Sequence, residues 1–140
     1  MWHLDEEVPD EQTTGKHADS TGGGRTGTQK DNQGASFGVC RIGRCQEIGA
    51  NDWIELDKDG DFKLGDTDVT IAAWIYSFNA NMTGRAIFSR SNPMMAEPGH
   101  VVFGQAAPNL GNALGLEHFG AGAIVGTTPI ANSSWHYAVW

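Results

Sequence analysis

The sequence predicts an all-β fold, an antiparallel sandwich of two sheets, and three observations carry that prediction. The longest uninterrupted apolar run, V-T-I-A-A-W-I-Y-S-F over residues 69–78, is rich in β-branched and aromatic residues. The 140 residues include 19 glycines and five tryptophans, which suits a fold with many turns and aromatic inner faces. No segment of helical length keeps an i, i+3, i+4, i+7 apolar stripe unbroken by glycine or proline, so helix should be scarce.

The run at 69–78 reads as the strand around which the rest is built. In a period-two ribbon Val69, Ile71, Ala73 and Ile75 share one face, and Thr70, Ala72, Trp74, Tyr76 and Phe78 the other. Both faces are apolar, which predicts a central strand covered on both sides. Trp74 is then the middle of the core, and Trp74→Ala should cost roughly 3–5 kcal/mol.

The other elements follow in order. Residues 13–34 are so rich in Gly, Ser, Thr and Asp that they read as loop, with Asp19-Ser20-Thr21-Gly22 as an Asx turn. Residues 44–48 and 53–56 read as a hairpin joined by Gly49-Ala50-Asn51-Asp52. Further strands are expected at 86–89, 101–103, 113–119 and 123–127, separated by glycine or proline, with a prolyl loop at 92–99. The final S-S-W-H-Y-A-V-W alternates Trp135, Tyr137 and Val139 against His136, Ala138 and Trp140. Two or three of its aromatics should join the core.

Length and charge narrow the class. One domain over 1–140 is expected, long enough to bury roughly 68–70% of its unfolded surface. A formal charge of −8 with nine Lys and Arg argues against nucleic acid, whose phosphates need clustered cations. No run approaches the roughly 18 apolar residues of a membrane span. Met1-Trp2-His3-Leu4 leads into Asp5-Glu6-Glu7, unlike a secretory leader, so the chain is either intracellular or lacks its true N-terminus.

Three motifs suggest chemistry. Cys40 and Cys45 enclose R-I-G-R; a disulfide between them requires a turn at Ile42-Gly43, and the alternative is two small buried thiols. Gly22, Gly24 and Gly27 satisfy G-x-G-x-x-G, yet without the preceding strand and following helix of a dinucleotide fold. Asp57, Asp59 and Asp61 alternate as in an EF-hand loop. The glycine of that segment stands fourth instead of sixth, and its twelfth residue is Asp68 instead of Glu, so it reads as a solvated acidic turn.

Taken in order, several segments resemble the laminin G-like, concanavalin A-like jelly-roll domains of secreted and surface proteins. They are Trp2-His3-Leu4-Asp5, Asp19-Ser20-Thr21-Gly22 with Gly27-Thr28, Arg41-Ile42-Gly43, and Asp52-Trp53-Ile54-Glu55-Leu56. The set continues with Asp68-Val69-Thr70-Ile71-Ala72-Ala73-Trp74-Ile75, Ile87-Phe88-Ser89, and Trp135-His136-Tyr137-Ala138. The resemblance implies a jelly roll cut short at its C-terminal end, since the family's later strands are absent, and further domains in the same polypeptide. It implies an extracellular or cell-surface setting. No cofactor or metal is expected; calcium is the alternative, by likeness to pentraxin-type relatives, whose ligand loop here offers Asn92 and Glu97 without a clear ligand set.

A non-catalytic binding or adhesion module is the leading functional expectation, with a carbohydrate or a protein as ligand. Trp53, Tyr76, Phe119 and Tyr137 are the aromatics to test, since rings can lie on the apolar face of a sugar. The alternatives are a fragment of a glycan-hydrolysing jelly roll and a structural spacer. Glycan hydrolysis needs two carboxylates about 5–10 Å apart. None of the glutamates, Glu47 and Glu55 included, pairs at that spacing within a clear strand. His136 reads as a packed structural histidine. Asn81 and Asn132 open triplets of the N-glycosylation pattern.

Overall fold

The computed structural model describes residues 2–4, 17–30, 36–49, 52–56, 68–77, 85–90, 101–105, 112–118 and 122–140. Among these the protein is all-β, with antiparallel sheets and no helix. The chain divides into two compact units, Met1–Phe62 and Lys63–Trp140.

In the first unit β1 (His17–Ala18), β2 (Thr26–Lys30) and β5 (Trp53–Leu56) form a sheet in the order β1-β2-β5. The polar stretch expected to be one loop instead folds into a hairpin. Asp19 makes its turn, accepting the Thr21 amide at 2.9 Å and the Thr21 hydroxyl at 2.7 Å. The Asp19 amide then donates to Arg25 O at 3.1 Å, with Gly22 and Gly24 at φ +77° and +72° between them. Strand β2, T-G-T-Q-K, carries no apolar signal yet buries Gly27, Thr28 and Gln29. Gly27 is needed there because a Cβ would stand 2.7 Å from Ile54 Cγ2. Gln29 is satisfied in part by its neighbour on β1, with His17 Nε2 and Gln29 Oε1 3.1 Å apart in a fully buried pair.

The other strands of this unit correct a second expectation. Strand β4 (Arg44–Glu47) pairs with β3 (Ser36–Val39), from Ser36↔Glu47 to Val39↔Arg44, and not with residues 53–56. Strand β5 pairs with β2, from Gly27↔Leu56 to Lys30↔Trp53. The turn chemistry of Gly49 to Asp52 is real but is used differently. The Asp52 carboxylate accepts the Gly49 amide at 2.6 Å, so the bend is stabilised by a side chain and not by strand pairing.

In the second unit β7 (Arg85–Arg90), β8 (Val101–Gln105), β9 (Ala113–His118) and β10 (Gly122–Pro129) make an antiparallel sheet in the order β10-β9-β8-β7. Strands β6 (Ala72–Tyr76) and β11 (Trp135–Val139) form a two-stranded ribbon. Val101, Phe103 and Leu116 of the sheet meet Ala138 of the ribbon in the core, and Ile71, Ile75, Ile87, Phe88 and Leu114 pack around them. The unit is therefore two β layers with one apolar interface, as in a β-sandwich.

This arrangement overturns the central-strand reading. Among the described residues β6 pairs with β11 alone, and Trp74 is 43% exposed instead of filling the core. Both faces of the run are apolar, so the period-two pattern cannot say which one turns inward. The isoleucine face does, because Ile71 and Ile75 meet the sheet beside Ala138. Likewise none of the terminal aromatics is buried: Tyr137 and Trp140 are exposed, Trp135 is half-buried, and small Ala138 is the core residue.

Candidate functional site

The outward face of the β6–β11 ribbon gathers four aromatic rings. Ile71 and Trp140 exchange both backbone hydrogen bonds, at 2.8 and 2.9 Å. Alternation along an antiparallel ladder then makes Trp74↔Tyr137 and Tyr76↔Trp135 non-hydrogen-bonded pairs, whose facing Cα atoms lie about 4.5 Å apart and whose side chains are closest. The rings of Trp74 and Tyr137 are tilted at 43° with centroids 5.2 Å apart. Those of Tyr76 and Trp135 meet edge to face at 5.4 Å.

The pairing has a simple origin in the sequence. Trp74-Ile75-Tyr76 and Trp135-His136-Tyr137 are the same W-x-Y triplet, and two such triplets run antiparallel set each Trp against a Tyr. Ala72 and Val139 extend the face, and none of its six positions carries a charge. The polar groups present are indole N–H and phenol O–H, which donate at the rim of an apolar surface. At one end the Ser133 amide donates to Ser77 O at 3.1 Å, closing the ribbon behind Tyr76 and Trp135. There, too, His136 Nε2 lies 2.8 Å from Asn132 Oδ1, while the Asn132 amide reaches Pro129 O at 3.5 Å. His136 is thus tied into the turn.

Of the aromatics singled out from the sequence, Tyr76 and Tyr137 lie on this face. Trp53 is on β5 in the other unit and is 55% exposed; Phe119 lies outside the described residues. Trp74 and Trp135 complete the face; the sequence alone points to Trp74 as the middle of the core and to two or three unspecified aromatics of the last strand as core members. The repeated W-x-Y triplet was the signal that could have found them.

Cys40 and Cys45 are joined by a disulfide with Cα atoms 5.8 Å apart, across a turn in which the Cys40 amide donates to Gly43 O at 3.2 Å and Gly43 has φ +62°. The acidic stretch through Asp57, Asp59 and Asp61 and the loop of Asn92 and Glu97 lie outside the described residues, as does Asn81. Among the described residues no three His, Cys, Asp or Glu side chains are grouped to hold a metal ion. No helix among them is long and apolar enough to cross a membrane. Asn132 is exposed. No protein-family model, curated protein or solved structure matches the chain.

Proposed function

We propose that this chain is a non-catalytic binding module that holds a neutral carbohydrate on the outward face of the β6–β11 ribbon. The observation that carries the reading is the uncharged quartet on one sheet face, Trp74 and Tyr137 exposed and Tyr76 and Trp135 half-buried beside them. A sugar ring has an apolar face of C–H groups that stacks on an aromatic ring, and hydroxyls at its edge that accept indole or phenol hydrogens. The chain's formal charge of −8 disfavours an anionic polymer. In this reading the protein is a relative of the laminin G-like, concanavalin A-like jelly rolls whose ordered segments it resembles. It serves as one module of a larger secreted or surface protein.

Two features favour binding over reaction. Each described strand that holds a carboxylate holds a single one, Glu47 on β4, Glu55 on β5 and Glu117 on β9, and their ladder partners Ser36, Thr28, Ala123 and Val102 are not acids. No acid lies on the aromatic face. The experiment is affinity electrophoresis of the chain through gels cast with neutral polysaccharides, repeated with Tyr137→Ala and Trp74→Ala. Retardation by at least one polysaccharide, abolished in both variants while their circular dichroism is unchanged, is the expected result. Retardation that survives both substitutions, or none on any neutral polymer, removes this reading.

A further inference from the structure

The two outer strands of the four-stranded sheet are built differently. Strand β7, R-A-I-F-S-R, is guarded by the charges of Arg85 and Arg90 at its ends. Charges placed in this way keep an edge from templating another strand. Strand β10, G-A-I-V-G-T-T-P, has no charged residue in its eight positions. All of them are exposed except Val125, which is partly covered.

The apolar cover also stops short of β10. Ile124 stands opposite Leu116, on the face of the sheet that carries the core. Leu116 is 9% exposed and Ile124 is 74% exposed, so the ribbon covers the sheet out to β9 and leaves the last strand bare. Among the described residues no strand pairs with the outer side of β10, which presents β-branched side chains and an uncovered isoleucine, the character of an edge open to pairing.

We propose that β10 is a self-association edge, along which two copies of this chain pair antiparallel so that their sheets become continuous. The strand is its own complement. Run against itself about a two-fold axis, it sets uncharged residues opposite uncharged residues, so the pairing avoids the repulsion that a charge of −8 would otherwise impose at contact. Isologous pairing of this kind uses up the edge in both copies and stops at the dimer. Pro129, which has no N–H to donate, and the register shift between Val125 and Pro129 set one end of the contact.

Sedimentation equilibrium over a range of concentrations tests this on the full chain, with Ile124→Lys, Thr127→Lys and Tyr137→Ala alongside. The expected result is a monomer–dimer equilibrium weakened about tenfold or more by either lysine, since each dimer then brings two like charges to one seam. Tyr137→Ala should leave it unchanged. Amide exchange offers a readout that needs no variant: amides of 122–128 should slow as the dimer fills, while those of 85–90 do not. A chain that stays monomeric at every concentration overturns the proposal. So does a dimer indifferent to both lysines, or one lost with Tyr137→Ala, which would place the contact on the aromatic face.

Discussion

Trp74 stands directly across the ribbon from Tyr137, ring centroids 5.2 Å apart, and the two side chains remain 43% and 58% exposed. Each ring is therefore held by the other and by the backbone ladder, while the core lies on the opposite face of the same strands. Residues that would carry binding are in this way separated from residues that carry stability, although they alternate along one strand.

The first prediction follows from that separation. An aromatic pair is worth about 0.5–1.5 kcal/mol beyond its area, whereas truncating a buried aromatic costs about 3–5 kcal/mol. Trp74→Ala should therefore lower stability by about 1 kcal/mol and still fold. Urea titration checks this; a loss approaching the buried-aromatic cost would mean that the Trp74 ring is covered in solution.

Phe103→Ala is the counterpart. Phe103 is 1% exposed and meets Val101, Leu116 and Ala138, so its removal leaves a cavity where the two layers of the second unit touch. The expected cost is about 3–5 kcal/mol, read as a large fall in the urea midpoint. A change below about 1 kcal/mol would deny that this cluster is the core.

How far these features were legible in the sequence depends on what each residue must do. The strands at 85–90, 101–105, 113–118 and 122–129 were foreseeable to within a few residues, because short apolar runs between glycines and prolines have few other uses. Strand β2 was not. Its buried positions are Gly27, Thr28 and Gln29, none of which advertises burial through hydrophobicity, and Gln29 finds its side-chain partner in His17 on the neighbouring strand. The partners of β4 and β5 were hidden for a different reason: Gly49 to Asp52 carries turn residues, and turn residues do not report which strands they join. At the candidate site, Tyr76 and Tyr137 could be named one at a time. Their assembly with Trp74 and Trp135 depends on the pairing of residues 72–76 with 135–139, a contact across some sixty residues of chain that periodicity cannot supply.

The Cys40–Cys45 bridge closes a short loop already held by the Cys40 to Gly43 hydrogen bond. Chain-entropy arguments for so small a loop give roughly 2 kcal/mol, and the existing turn makes this an upper value. Adding reductant should lower the melting temperature of the oxidised chain modestly, and should leave a Cys40→Ser, Cys45→Ser double variant unchanged. Thermal unfolding with and without reductant makes the comparison; an equal response in both chains would remove the disulfide from the account.

Gly104 is fixed by the backbone and not by φ. It lies on β8 opposite Ala86, next to the register shift in β7, and a Cβ there would collide with the Arg85 carbonyl oxygen and approach Ala86 Cα at 2.8 Å. Backbone atoms in a ladder cannot swing aside as a flexible side chain can, so even one methyl must push β7 away from β8. Gly104→Ala should cost about 1–3 kcal/mol, the range for overpacking a tight site. Gly126→Ala, where the nearest atom is Leu114 O at 3.2 Å on an exposed strand, should cost less. Paired urea titrations decide the matter, and equal losses in the two variants would show that β7 and β8 do not approach as closely as the bulge requires.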